Sequence, residues 1–412
     1  MRTFEEHIKT IITTSQSKSR LLGEGECQST RGSRCSLCHA VDLEYAEEMQ
    51  LKNRALHAFW EQHAPVKLLA PLVPSPLGRG YRTVTKRRAF PFRGSVKLGL
   101  IAPTDEGTYK PFDVVRCAIE PAGHAPIYQK VQEILEKPYA GPIRDALSYV
   151  IIKGSYTEYT LILNVREMSP EVVHATNTLS KSLTHSFKEI VGIFLYEDTS
   201  DGRYYLGSSN RKPETFRKIF GKAEIYQRIC GRSFLYSPLS FSQINLSIVD
   251  QFVTKAKELL DLSRQTQLSD LYCGYGLFAL CLAENAESVI GVEVAADSIS
   301  SAIANAKRQK LLNVRFIRSE ITVETIPRLM KQARQQDVVL LDPPRSGTGS
   351  GVIECVAARK PARALHIFCN IDIMAAELKR WEACGYSVST AVPFDMFPGT
   401  SSVEIMVLLT RR

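Results

Sequence analysis

"LSDLYCGYGLFALCLAENAESVIGVEVAADSIS", residues 268–300, carries the pattern that decides the fold. It passes through one order twice. A short apolar run, Leu268 to Leu271, stops at a turn containing Gly274 and Gly276. Apolar residues then recur at helical spacing from Leu277. "SVIGVEV" repeats the strand, and "AADSISSAIANAKRQ" repeats the helix. Short apolar strands that return through helices bury both their faces only in a parallel sheet with helices on either side.

The same alternation extends outward from this stretch. "LSIVDQFVTKAKELLDL" (246–262) is amphipathic at period 3.6 and precedes it as a helix. "VRFIRSE" (314–320), "VVLLDPPRSG" (338–347), "ALHIFCNID" (364–372), "GYSVSTAVPFD" (385–395) and "SVEIMVLLTRR" (402–412) follow as strands. Residues 231–412 are therefore expected to form an α/β, Rossmann-like, doubly wound domain. Residues 71–230 hold short strand signals broken by Gly and Pro, among them "YRTVTKRRAF", "SVKLGLIAP", "YVIIKGSYTEYTLILNV", "IVGIFLYED" and "RYYLGSS". They read as a β-rich (α+β) domain with one helix near 170–188. Residues 1–70 read as a polar, mobile lead-in of 26 residues, a cysteine cluster and a helix over "YAEEMQLKNRALHAFWEQH".

Ligands of such sheets bind beyond the carboxyl ends of the strands. Three features fall there. In "DLYCGYG" (270–276) two glycines let the backbone approach a ligand, although a tight turn alone would also explain them. Glu293 ends the second strand, where a carboxylate can accept two ribose hydroxyls, and Asp297 is better placed to favour the helix dipole. Asp342 ends "VVLLD" before two prolines that fix the loop. The full dinucleotide fingerprint is absent, since Leu277 and Phe278 follow Gly276. The three features together read as an S-adenosylmethionine-dependent methyltransferase, with a pyridine-nucleotide enzyme as the alternative.

Six ordered motifs, "SFSQIN", "DLYCGYG", "GVEVAADSI", "LDPPRSG", "FCN" and "DMFPGTSSVE", resemble the RNA (uracil-5-)-methyltransferases, which make 5-methyluridine. The resemblance is strong over residues 230–412 and weaker before them. It implies Cys369 as nucleophile and Glu404 as general base. It also implies that Gln243, Tyr272, Glu293 and Asp342 contact the cofactor or hold the target base. The chemistry gives these residue types a reason. Uracil C5 is a poor nucleophile until a thiolate adds at C6, and a base must afterwards remove the C5 proton. Related cytosine-5 enzymes carry a cysteine beside the motif that here reads "DPPR", so uridine is favoured. Two departures stand out. Relatives read Ser-Cys-Asn-Pro where this chain has "FCNID", and Gly399 and Ser402 stand where relatives have histidines.

Cys27, Cys35 and Cys38 have the spacing C-x7-C-x2-C, and Cys117 is the only other cysteine before Cys230. Four thiolates suit zinc or an iron–sulfur cluster, and spacing leaves both open. The resemblance implies a [4Fe-4S] cluster. A 23S rRNA-modifying type of this family has the same spacing near its start and lacks the N-terminal TRAM β-barrel, for which 26 residues before Cys27 leave no room. Cys230, Cys273, Cys281, Cys355 and Cys384 have no partner pattern and read as ordinary core residues.

A net charge of +9 over 412 residues suits a polyanionic partner. Arg82, Lys86, Arg87, Arg88, Arg93 and Lys97 interleave with Tyr81, Phe90 and Phe92, a pattern that can bind phosphates and stack bases. A strand with a charged solvent face is the plain alternative. An RNA loop is the expected partner, a 23S rRNA loop first and the tRNA T-loop second, because a looped base flips out cheaply. No run of 18 apolar residues and no secretory signal occurs, so a cytoplasmic monomer is expected. A reading of another class, a non-catalytic iron–sulfur RNA-binding protein, rests on the altered "FCNID" and "FPGTSSVE" motifs.

Overall fold

The computed structural model describes residues 3–15, 27, 35, 38–63, 69–103, 108–198, 215–330, 334 and 336–412. The lead-in is not a bare coil. Helix α1 (Phe4–Thr14) starts at a capping box in which Thr3 and Glu6 each accept the other's backbone N–H. Phe4 and Ile8 of this helix are buried against Phe59 of α2 (Tyr45–His63). The expectation of a mobile N-terminus is thus corrected over these residues: an apolar stripe hidden in a polar composition gives the helix a face to bury.

The middle of the chain forms a seven-stranded sheet in the order β3-β2-β1-β4-β5-β6-β7. Its strands are β1 (Val84–Phe92), β2 (Ser95–Pro103), β3 (Tyr109–Asp113), β4 (Leu147–Gly154), β5 (Tyr159–Val165), β6 (Ile190–Glu197) and β7 (Phe216–Gly221). Only β5 and β6 pair in parallel, across helix α5 (Pro170–Ser186). That helix matches the one expected. Two more, α3 (His124–Leu135) and α4 (Gly141–Ala146), were not expected. Each carries one proline in its first turn, Pro126 and Pro142, where a proline is tolerated. Ile127, Val131 and Leu135 of α3 and Leu179 and Leu183 of α5 cover one face of the sheet. The strand expected over 203–209 lies outside the described residues.

A hairpin, β8 (Ile225–Ile229) and β9 (Arg232–Tyr236), leads into the last part of the chain. Its Ile225, Phe234 and Tyr236 pack with Phe252 of α6 (Leu246–Leu260) and Phe278 of α7 (Leu277–Leu282). The second sheet contains β10 (Gln267–Leu271), β11 (Ser288–Glu293), β12 (Val314–Arg318), β13 (Val338–Leu341), β14 (Arg363–Phe368), β15 (Tyr386–Phe394) and β16 (Glu404–Arg411). Helices α8 (Ala296–Arg308), α9 (Ile326–Leu329), α10 (Val352–Ala358) and α11 (Met374–Ala383) complete this part.

The order is β12-β11-β10-β13-β14-β16-β15. Five strands are parallel, and β16 runs antiparallel between β14 and β15. The expected Rossmann-like sheet is present, with this inserted antiparallel strand distinguishing it from the all-parallel dinucleotide order. Residues 69–73 run alongside β15 in parallel, with Leu69 opposite Ala391 and Val73 opposite Phe394. No helix among the described residues is long and apolar enough to cross a membrane.

Candidate active site

The turn after β10 is built from unusual backbone. Tyr272, Gly274 and Gly276 all have positive φ, at 67°, 55° and 87°. A Cβ on Gly276 would lie 2.8 Å from the Phe316 ring, so glycine is required there twice over. The Glu293 carboxylate fastens this turn to the next strand. It accepts the N–H groups of Val294 and Ala295, each at 2.8 Å, and that of Gly274 at 3.2 Å. Glu293 thus holds the start of α8 as well as the glycine turn.

Beneath them lies Asp270, fully buried. One oxygen accepts the Ala279 N–H at 2.9 Å, and the other is buried with no partner. Burial pushes its carboxyl up to about 8, with Asp342 and Glu293 adding to the rise. Asp342, only partly exposed and walled by protein, is pushed up to about 7 by burial. Asp270 and Asp342 are thus both held toward their neutral forms, with the Glu293 carboxylate nearby. A cationic ligand relieves that repulsion, and an anionic pyrophosphate worsens it. The residues present thus fit S-adenosylmethionine, with its sulfonium, better than a dinucleotide.

The second half of the site follows from strand register. Phe368 at the end of β14 pairs with Ile405 of β16. One step further, antiparallel pairing brings Cys369 beside Glu404. The Cys369 thiol is half-buried, with its sulfur 3.9 Å from the Pro343 carbonyl oxygen. Burial pushes it up to about 12; Glu404 and Asp342 push the same way and Arg345 opposes them. Burial raises Glu404 to about 8, with Asp342 adding and Arg345 opposing. Cys369, Glu404, Asp342 and Arg345 are thus one electrostatic group at the carboxyl edge of the sheet.

The loop bearing Asp342 and Arg345 is fixed from behind. Glu377 accepts the Thr348 N–H at 2.8 Å and its hydroxyl at 2.6 Å. Gly347 has φ 81°, and a Cβ there would strike the Glu377 carboxylate at 2.7 Å. Gln243 lies 7 % exposed in the loop before α6. Fully buried Lys153 donates to the Pro238 and Ser240 carbonyls of that loop, at 2.9 and 2.6 Å. Phe241, two residues before Gln243, stands 69 % exposed. Asp270 and Arg345 lie in motifs that the sequence reading quoted without giving them a role. Their signal was adjacency: a carboxylate inside the glycine motif and a cation inside "DPPR".

The four N-terminal cysteines are neighbours. Burial pushes the Cys38 thiol up, and Cys117, Cys35 and Cys27 each push it further. Cys117 rises to about 12 by burial, with Glu120 and Cys27 adding. Among the described residues, however, no group of three or more His, Cys, Asp or Glu is arranged to hold a metal ion. The expected [4Fe-4S] site is therefore not supported among the described residues, although the thiols lie near enough to raise one another.

The basic stretch divides by strand alternation. Lys86 and Arg88 lie over the Tyr149 ring at 5.8 and 5.9 Å. Arg87 points the other way, is fully buried and pairs with Glu120 at 2.6 Å. Tyr81 is also fully buried. Arg87 and Tyr81 are therefore removed from the expected RNA surface. Lys86, Arg88, Arg93 and Phe92 remain exposed on it.

Residues 216–412 match the tRNA (Uracil-5-)-methyltransferase family. An uncharacterized RNA methyltransferase of Clostridium tetani is 28% identical over 324 residues, 77% of this chain and 68% of that protein. One of Thermotoga maritima is 26% identical over 384 residues, 92% of this chain and 83% of that protein. The crystal structure of Pyrococcus abyssi tRNA (uracil-54, C5)-methyltransferase in complex with S-adenosyl-L-homocysteine has the same fold, at TM-score 0.66 and 19% identity, over 93% of this chain and 91% of that one.

Proposed function

Taking as premise that residues 216–412 carry a tRNA (uracil-5-)-methyltransferase family region, we propose that the protein methylates C5 of a uridine in RNA. A 23S rRNA loop is the first substrate and the tRNA T-loop the second. The observation that carries the reading is the register that sets Cys369 beside Glu404, with Asp342 and Arg345 near enough to act on both charges.

S-adenosylmethionine supplies the methyl group, bound among Asp270, Tyr272, Glu293 and Asp342. Cys369, as thiolate, adds to uracil C6 and leaves C5 as an enolate carbon. That carbon would take the methyl group as the methyl–sulfur bond of the sulfonium breaks, its electron pair staying on sulfur to leave S-adenosylhomocysteine. Glu404, as carboxylate, removes the C5 proton, and the Cys369–C6 bond breaks with return of the electron pair to sulfur. Gln243 and Asp342 hold the base. Arg345 favours both required anions, since it opposes the raising of Cys369 and Glu404. Lys86, Arg88, Arg93 and Phe92 supply phosphate and stacking contacts.

Cys27, Cys35, Cys38 and Cys117 would hold a [4Fe-4S] cluster. The support is their mutual crowding, which a cationic centre relieves. The cluster would be structural or RNA-positioning, since the methyl transfer needs no electrons. Anaerobic purification should yield iron, sulfide and broad absorbance near ~400 nm, and stoichiometric zinc would refute the cluster.

The test of the reaction uses RNA containing 5-fluorouridine, with S-adenosylmethionine. Fluorine cannot be removed as a proton, so the enzyme should stall as a covalent adduct through Cys369. Wild type that behaves like Cys369→Ala refutes the catalytic reading and leaves a protein that only binds RNA.

A further inference from the structure

The two loops of the reacting pair are gripped from outside their own sheet. Helix α1 holds one of them. The Phe4 N–H, in its first turn, donates to Asp372 at 2.8 Å, three residues beyond Cys369. Phe4 and Ile8 pack in one cluster with Ile371 and Met374, which flank that aspartate. The "NID" that departs from the relatives' Asn-Pro is therefore the contact point of a helix near the start of the chain.

Helix α2 holds the other. Lys52, 1 % exposed, lies 2.8 Å from Glu48, 2.8 Å from Asp395 and 3.2 Å from the Phe397 carbonyl. Tyr45 donates to the second Asp395 oxygen at 3.0 Å. Glu48 accepts the Gly399 N–H and an Arg79 N–H. The Gly399 carbonyl accepts the N–H groups of His39 and Ala40, directly after Cys38. Gly399 has φ 81°, and the relatives' histidine would be strained in that conformation. Asp395, Phe397 and Gly399 all lie on the loop that ends at Glu404. Three charges buried together are costly unless each is paired, and such networks can fix one geometry where an apolar core tolerates several.

We propose that Lys52 and Asp372 are positioning residues: through them the α1–α2 pair sets the nucleophile loop at 369–373 and the base loop at 395–402 against each other. The inference rests on the reading of Cys369 and Glu404 as that pair.

Lys52→Met alone strands two buried carboxylates and risks unfolding, so the paired variant Lys52→Met/Asp395→Asn is made beside Asp372→Ala. Each full-length variant is measured for S-adenosylmethionine Kd by calorimetry, for the rate of adduct formation with 5-fluorouridine RNA, for turnover on the same RNA with ordinary uridine, and for hydrogen exchange over 369–373 and 395–404. The expected result is an unchanged Kd, an adduct rate about tenfold lower or more in Asp372→Ala and a turnover about tenfold lower or more in Lys52→Met/Asp395→Asn, each corresponding to about 1.4 kcal/mol of lost positioning, and faster exchange in the loop whose anchor was removed. Wild-type adduct rate, turnover and exchange in both variants overturn the proposal. So does parallel loss of cofactor binding, which marks general damage. If wild type forms no adduct, the reaction assigned to Cys369 fails, and the exchange data still decide whether the helices hold the loops.

Discussion

At the scale of single residues, the proposed reacting pair, Cys369 and Glu404, carries its own pH dependence. Both the Cys369 thiol and the Glu404 carboxyl are pushed up, so each anion becomes populated as pH rises; adduct formation with 5-fluorouridine RNA reads the Cys369 thiolate alone, because it stops before the base acts. Adduct formation should climb through pH 6.5–8.5, by about tenfold per unit while one ionisation limits it. Arg345→Gln removes the opposing cation and should move the whole profile to higher pH, lowering the rate at pH 7.5 while cofactor affinity holds. A profile unmoved by this change would remove Arg345 from the site. Cys369 and Glu404 were singled out in the sequence by the resemblance and by a chemistry that asks for one thiol and one carboxylate; their roles stay proposals, and what the structure adds is their adjacency. Arg87 was misread, because a run of basic residues does not say which of them a strand turns inward. Its burial against Glu120 depends on α3 and the turn before it, a long-range fact.

Among the elements, the glycine turn before α7 binds sequence most tightly to geometry. Gly276→Ala places a methyl group against Phe316 in a left-handed conformation. Strain of about 1–3 kcal/mol at such a position should weaken S-adenosylmethionine binding by about tenfold, read by calorimetry. Unchanged affinity would mean that the turn does not shape the pocket. The parallel strands β10, β11 and β13 were readable because apolar runs alternated with helical spacing. Helices α1, α3 and α4 were not. Each is short, and α3 and α4 lie among prolines and glycines, where local signals argue for turns and only burial against the sheet argues for a helix.

Across the whole molecule, the crowded carboxylates also bear on stability. Asp270 is raised by burial to about 8. The folded protein therefore holds its proton more tightly than the unfolded chain, and this contribution is full below the unfolded value and lost as pH rises through about 8. Asp270→Asn removes the dependence. Its Tm relative to wild type should increase between pH 5.5 and 8.5, by at most about 1.4 kcal/mol per unit in free energy, and S-adenosylmethionine should narrow the gap. A gap that stays constant with pH would mean that Asp270 is not titrating. The mostly parallel character of the second sheet followed from the sequence, but its strand order and the seam between the two ends of the chain did not, since nothing local announces that β16 inserts beside β14 or that residues 69–73 lie beside β15. That seam makes the methyltransferase region a poor module for transplantation. Cut out alone, residues 231–412 would expose a bare strand edge, the feature that recruits other chains into aggregates. Such a fragment should express as inclusion bodies, and co-expression of residues 1–80 should return part of it to solution.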